Sequence, residues 1–150
     1  MSKYPDIKCY FFRNKHAQHT VERIVKDNLH LLPWWVGKLR IVMQGDADEE
    51  DVLATIETLK EYRMLNICIY RSFFSIPYED QVHTIRHEFA HTVLAPVHNW
   101  IEDDLLPLLS NNQELAEHLA SECSNLMEGC IQDIAIMLGA VHGEEAEPSC

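Results

Sequence analysis

His87 and His91 stand four residues apart in the sequence His-Glu-Phe-Ala-His, within a stretch whose apolar residues recur at helical spacing. Those apolar residues are Val82, Ile85, Phe89 and Val93. Residues four apart share one face of an α-helix, so the two imidazoles point to one side and the apolar side chains to the other. A chain with this segment has to pack the helix on its apolar face and leave a cleft in front of the histidines.

The bounds of this helix follow from its flanking residues. Pro77 suits a helix start, and Glu79 and Asp80 then fall in the first turn, where the helix dipole favours acidic side chains. Pro96 has no N–H to donate, which predicts that the helix stops at Ala95. The sequence therefore predicts a helix over about 79–95.

The chemistry of the motif suits a zinc ion. Neutral imidazole is a ligand that zinc accepts, and His87 and His91 can reach one ion together. Glu88 lies beside them and can take a proton from a metal-activated water, which is the general-base position of a zinc peptidase. A random chain of this composition would contain the pattern in roughly one case in twenty, so the prediction also depends on the helical context. We predict His87 and His91 as ligands of Zn²⁺ and Glu88 as a catalytic base.

A catalytic zinc is held by three protein ligands, and the residues leave the third one open. His98 follows His91 by seven residues and could return to the metal if Pro96 reversed the chain. The other candidates are glutamates of the last predicted helix: Glu114, Glu117, Glu122 and Glu128. Helical periodicity does not single out one of them. His83 would lie roughly 12 Å from His91 along the helix axis, so it cannot share the metal and is expected at the surface.

Short strands are predicted in the first half of the chain. Apolar runs bounded by turn residues indicate strands over Leu39–Gln44 and Leu65–Tyr70. Lys8–Arg13 is a short strand or a lead-in to a helix. Residues 46–63 fit either element, because their apolar positions match both periodicities and the acidic segment 48–51 suits a helix start.

Helices account for most of the remainder. Helical spacing predicts helices over Ala17–Leu31, 98–109 and about 112–140. The last of these has a predicted apolar face: Leu115, Leu119, Cys123, Leu126, Cys130, Ile134 and Leu138. Strands and helices together indicate the α+β class.

Composition indicates one domain over residues 1–150. The chain has 150 residues, of which 47% are hydrophobic, and contains no linker or repeat. Its acidic end, residues 142–150, is expected to be a frayed tail. Neither a membrane span nor a signal peptide is predicted, so a cytoplasmic location is expected. The cysteines are odd in number and form no paired motif, so we expect no disulfide, and Cys150 is expected to be an exposed thiol.

The net charge of the chain disfavours polyanionic partners. The formal net charge is −12. Such a chain repels polyanions, so neither nucleic acid nor an anionic membrane is an expected partner.

The residues around the motif resemble a known group of proteins. Thr84–Val93 is similar to the extended signature of zincin metallopeptidases, and with Leu94-Ala95-Pro96 it resembles small metallopeptidases encoded in phage and prophage genomes. The resemblance extends to the strand ending Ile67-Cys68-Ile69-Tyr70. It implies a small zincin-like domain, in which a short mixed or antiparallel sheet packs on the motif helix and on a long C-terminal helix. It also favours a strand within 46–63 that pairs with Leu65–Phe73.

A second resemblance bears on the third ligand. The stretch Asn125–Asp133 loosely resembles the Asn-Glu-Asp stretch of gluzincins, the thermolysin-like zincins. It implies Glu128 as the third metal ligand. It also implies that Asp133 supports a ligand histidine, although the spacing from Glu128 to Asp133 is one residue longer than in that group.

The favoured function is zinc-dependent hydrolysis of peptide bonds. A peptide or protein substrate would lie extended along an edge strand, for which Leu65–Phe73 is the candidate. The main alternative is a non-catalytic zinc-binding zincin-fold module that acts in protein–protein interaction. A di-iron carboxylate helical protein is a minor alternative, because Glu88-x-x-His91 is one of its elements, but a second such element is absent from the sequence. The sequence does not indicate an oligomeric state.

Overall fold

The computed structural model of the chain describes residues 5–47 and 52–143, with residues 138–143 described by their backbone alone. The acidic segment 48–51, the thiol of Cys150 and residues 144–150 of the predicted tail lie outside the described residues, as does the side chain of Leu138. The elements in chain order are β1 (Asp6–Tyr10), α1 (Lys15–Asp27), β2 (Lys38–Met43), β3 (Ala54–Leu59), β4 (Met64–Ile69), α2 (Tyr78–Trp100), α3 (Leu106–Leu108) and α4 (Gln113–Gly143). Short 3₁₀ turns lie at Leu29–Leu31, Lys60–Tyr62 and Arg71–Ser75.

The four strands form one mixed sheet in the order β1-β2-β4-β3. β1, β2 and β4 are parallel, and β3 runs antiparallel along the edge, where Ile56 lies opposite Ile67. The α+β class is therefore confirmed, as is the strand within 46–63 and its pairing with the next strand. Apolar alternation explains β4, whose Leu65, Ile67 and Ile69 are fully buried.

The helix α1 covers the sheet with its apolar side. Asn14 begins it, because its side-chain oxygen accepts hydrogen bonds from the amides of His16 and Ala17. Val21, Ile24 and Val25 are completely buried in the core. The predicted helix over Ala17–Leu31 is thus real but ends at Asp27 and is followed by the separate 3₁₀ turn.

The helix α2 continues past Pro96, contrary to the predicted stop at Ala95. Pro96 lies inside the helix, which ends at Trp100. Proline removes the hydrogen bond to the carbonyl four residues earlier, but its fixed φ angle is compatible with a helix, so the chain need not turn there. The separate acidic helix over 98–109 is consequently wrong. Its first residues belong to α2, and the rest form a π-helical turn at Ile101–Leu105 followed by the single turn α3.

The apolar face predicted for α4 is partly wrong. Leu126 is 68% exposed, and Leu115 and Cys130 are also exposed. Ile131 and Ala135 are buried instead. The packed stripe is shifted because α4 lies against α2, and that neighbour selects which helix face is covered. On α2 a similar exception occurs at Val93, which is exposed although Ile85 and Phe89 are fully buried as predicted.

Three further findings concern the described residues. None of their helices has the length and apolar character needed to cross a membrane. Four cysteines carry free thiols: Cys9, Cys68, Cys123 and Cys130. The helix α4 includes residues 142 and 143, where the frayed tail was predicted to begin.

The contrast between Ile131 and Ile136 tests this packing. Ile131 is 2% exposed and Ile136 is 53% exposed on the same helix. We expect Ile131→Ala to lower the free energy of unfolding by about 2–4 kcal/mol, because it leaves a cavity. Ile136→Ala serves as the matched control and should cost less than about 1 kcal/mol. Urea denaturation measures both, and equal losses would contradict the observed orientation of α4.

Candidate metal centre

His87 and His91 meet on the side of α2 that faces away from the sheet. Their Nε2 atoms are 3.2 Å apart, and the ring planes are inclined at 75°. The ligand atoms of His87, Glu88 and His91 all lie within 4.8 Å of one another. The buried residues Ile85 and Phe89 fix the opposite side of the helix in the core. The predicted motif is thus a compact group of donors on a helix.

Glu128 approaches this group from α4. Its Oε1 lies 2.9 Å from His87 Nε2, and its Oε2 lies 3.8 Å from His91 Nε2. The packing of α4 against α2 brings the carboxylate to both imidazoles. The residue implied by the gluzincin resemblance is therefore adjacent to the two histidines.

These distances can be compared with the needs of a zinc ion. Two donors bound tetrahedrally at zinc–nitrogen and zinc–oxygen distances of about 2.0–2.1 Å are roughly 3.3 Å apart. The observed separations of 3.2, 2.9 and 3.8 Å bracket that value. Two imidazoles and a carboxylate also form a donor set that zinc accepts in catalytic sites. The residues present therefore fit a zinc ion without a large rearrangement.

Gln132 orients His87. Its side-chain Oε1 lies 3.2 Å from His87 Nδ1 and accepts a hydrogen bond from it in the tautomer that carries the hydrogen on Nδ1. In that tautomer the Nε2 of His87 directs its lone pair towards Glu128 and His91, as a metal ligand requires. Gln132 Nε2 in turn lies 3.3 Å from His83 Nε2.

Asp133 was expected to contact a ligand histidine, but the residue that contacts His87 is Gln132. His83 lies next to Gln132. Gln132 follows Glu128 by four residues, so the two side chains lie on one helix face. Asp133 is turned about 100° further around the helix and is exposed. That four-residue spacing was the signal in the sequence that could have identified Gln132.

Glu88 is buried between α2 and the edge strand. It is 8% exposed, and its carboxylate accepts a hydrogen bond from the backbone amide of Ile56. Burial, together with the negative charge of Glu128, raises the pKa of Glu88 to about 8, although the Ile56 amide acts in the opposite direction. In the metal-free protein at neutral pH, Glu88 is therefore largely protonated.

His91 is kept in the neutral form. Burial lowers the pKa of His91, and the neighbouring His87 and His98 add to this effect while Glu128 opposes it. A neutral imidazole has a free lone pair for a cation. At pH 7 a metal ion would not have to displace a proton from this ligand.

The other candidate ligands lie away from the group. Because α2 is continuous, His98 lies about 10 Å beyond His91 along the helix axis, so the predicted reversal at Pro96 does not occur. Glu122 lies about 9 Å before Glu128 on α4, and Glu114 and Glu117 are farther still. Glu117 instead accepts a hydrogen bond from Gln113 at 2.8 Å.

The edge strand beside the site is β3, so the prediction that Leu65–Phe73 forms this edge is wrong. β4 lies inside the sheet between β2 and β3. In an antiparallel edge strand, alternate residues direct their backbone groups away from the sheet. The hydrogen bond from Ile56 to Glu88 shows that Ile56 is one of these residues. The backbone of β3 consequently borders the motif helix.

Comparison with known proteins assigns no family to the chain. No protein-family model, no curated protein and no solved structure matches it. The function therefore has to be inferred from the side chains of the site.

The raised pKa of Glu88 makes the stability of the metal-free protein depend on pH. The pKa rises from 4.5 to about 8 on folding, so the folded state binds the extra proton and stability is lost as pH increases through that interval. We expect Glu88→Gln to stabilise the metal-free protein by a few kcal/mol at pH 8 and much less at pH 5. Glutamine keeps an acceptor for the Ile56 amide.

Urea denaturation in the presence of a chelator measures this difference. Glu102→Gln is the matched control, because Glu102 is exposed and lies shortly after α2. It should change stability little at either pH. An equal effect of Glu88→Gln at both pH values would show that Glu88 ionises normally.

Proposed function

We propose that this protein is a zinc-dependent peptide hydrolase of zincin type. The observation that carries the proposal is the approach of Glu128 to both histidines of the motif, with Oε1 2.9 Å from His87 Nε2. His87, His91 and Glu128 would hold the metal, which leaves a fourth position open for water or substrate. The Gln132 contact supports this assignment because it leaves the Nε2 of His87 free for the ion.

Bound zinc supplies a Lewis acid that polarises a carbonyl and lowers the pKa of a water molecule. Glu88 then accepts the proton of the attacking water and later delivers it to the leaving amine. Its position beside His87 and His91, with ligand atoms within 4.8 Å, suits this role. A nearby cation also favours the ionised form of Glu88, so the residue that is protonated without metal becomes a base when metal is bound.

The substrate we propose is an extended peptide that lies beside β3. The outward backbone groups of an edge strand bind an extended chain by main-chain hydrogen bonds. β3 borders the motif helix through the contact between Ile56 and Glu88. A peptide in that place would have its carbonyl close to the metal ligands. This assignment replaces Leu65–Phe73, whose strand β4 lies inside the sheet.

One observation favours the second candidate, a zinc-binding module that acts by protein–protein interaction. Several apolar side chains of α2 and α4 are exposed, among them Val97 at 49%, Trp100 at 54% and Leu126 at 68%. Large exposed apolar side chains are found on surfaces that bind another protein. The zinc ligands would be the same in both functions, so only turnover separates them.

A di-iron centre is disfavoured, because Glu128 is the one carboxylate beyond the motif with a described contact to its histidines.

The role of Glu88 tests the proposal. We expect the wild-type protein to bind about one zinc per chain and to cleave members of a random peptide library, with new amino termini counted by mass spectrometry. Glu88→Gln should retain zinc and lower the cleavage rate by at least about a hundredfold, because a general base contributes that much. His87→Ala should lose both zinc and turnover.

Two glutamates of α4 provide the matched comparison. Glu128→Gln should weaken zinc binding by more than about tenfold, whereas Glu122→Gln should leave it unchanged. Cleavage that survives in Glu88→Gln would contradict its role as base. Zinc binding without any cleavage would support the non-catalytic module.

A further inference from the structure

A groove of about 1090 Å³ lies at the end of the sheet where β1, β2 and β4 finish. It is lined by residues that follow these strands, such as Phe11, Gly45 and Phe74, and by the first turns of α1 and α2. Crevices at the carboxyl ends of parallel strands are frequent ligand sites. Tyr78, on the groove, precedes His87 by nine residues, or about 13 Å along α2, so the groove is separate from the metal centre.

The described residues that line this groove carry charge opposite to that of the chain. Arg13, Arg23 and Arg71 line it, although the formal net charge of the protein is −12. None of the described residues that line it is acidic. Positive side chains gathered in a concave site attract an anion even when the whole protein repels it.

The three guanidinium groups are available to a ligand in different ways. Arg71 pairs with Asp46 at 3.4 Å, but both side chains are more than 70% exposed, so the pair is weak and exchangeable. Arg23 lies over the ring of Tyr78, 4.9 Å from its centroid, which orients the guanidinium without neutralising it. Within residues 5–47 and 52–143, Arg13 makes no ion pair. Guanidinium groups bind phosphate by paired hydrogen bonds.

The backbone at Phe11 supplies an independent observation. Phe11 has φ = 64° and is 77% exposed at the rim of the groove. A bulky residue in the left-handed region is strained, and such residues cluster at functional sites. Its ring is tilted at 46° to that of Tyr10, with centroids 6.5 Å apart, and its exposed side can stack on a flat ring of a ligand.

Gln81 contributes a buried acceptor that lacks a partner. The residue lines the groove and is 7% exposed. Its Nε2 donates to the Ile76 carbonyl at 3.1 Å, but its Oε1 has no hydrogen-bond partner among the described residues. Buried polar atoms are nearly always hydrogen-bonded, so a hydroxyl or amino group of a ligand would pair with this oxygen if the side chain turned it towards the groove.

We propose that this groove binds a small molecule that carries both a phosphate group and a flat ring, as a mononucleotide does. The arginines would hold the phosphate, Phe11 would stack on the ring, and Gln81 would accept a hydrogen bond. The volume suits a small ligand. A nucleic-acid polymer is not the ligand, because its many phosphates would meet the net charge of −12.

Isothermal titration of the full chain with three probes tests this site: adenosine monophosphate, adenosine and inorganic phosphate. We expect the monophosphate to bind at least about tenfold more tightly than either of the others, because charge and stacking act together. Arg13→Gln and Arg23→Gln should each weaken its binding about tenfold, and Phe11→Leu should weaken it several-fold. Melting temperatures establish that each variant is folded. Arg13→Gln is expected to change the stability little, because Arg13 is exposed.

Two controls separate this site from the rest of the protein. Lys60→Gln removes one exposed positive charge at the opposite end of the sheet, next to the end of β3, and should leave binding unchanged. His87→Ala should also bind the monophosphate normally, which excludes attachment through the metal centre. No binding at millimolar probe, equal binding of the monophosphate and adenosine, equal binding of the monophosphate and phosphate, or unchanged binding in the arginine variants would each overturn the proposal.

Discussion

The burial of one face of α2 against the sheet determines how the rest of the molecule is arranged. Ile85 and Phe89 are fully buried in the core, and together they fix the rotation of the helix about its axis. With that rotation set, the imidazoles of His87 and His91 must face away from the sheet. The helix α4 then packs against α2 and brings Glu128 to the two histidines. The geometry of the site is therefore a consequence of apolar packing.

The electrostatics of the site complement this packing. A carboxylate that is 8% exposed beside a second carboxylate is unfavourable when ionised, which is why the pKa of Glu88 rises to about 8. Burial also disfavours the charged form of His91. A cation between the histidines would favour the ionised form of Glu88, and it would bind the neutral form of His91 that burial already favours. The protein thus maintains, in its metal-free state, an arrangement of carboxyl groups and imidazoles that a divalent metal would stabilise.

Local periodicity and residue chemistry were sufficient to predict the α+β class, the motif helix and the proximity of its two histidines. They were insufficient where a neighbouring element determines where a helix ends or which side chains it buries. The continuation of α2 through Pro96 and the exposure of Leu126 depend on how the helices pack, which the sequence of one segment does not contain. The same holds for β4, since an isolated apolar run does not reveal whether a strand lies at the edge or inside. Gln132 was missed because Asp133, one residue away, has the residue type that the resemblance implied, but its side chain points elsewhere.

X-ray absorption at the zinc K-edge tests most directly the claim that His87, His91 and Glu128 hold one metal. On protein loaded with one equivalent of zinc, we expect nitrogen and oxygen neighbours at about 2.0–2.1 Å, with the outer-shell scattering of two imidazoles and no sulfur. In Glu128→Gln the two imidazoles should remain while the oxygen contribution changes. A sulfur shell at about 2.3 Å, or the scattering of only one imidazole, would contradict the account.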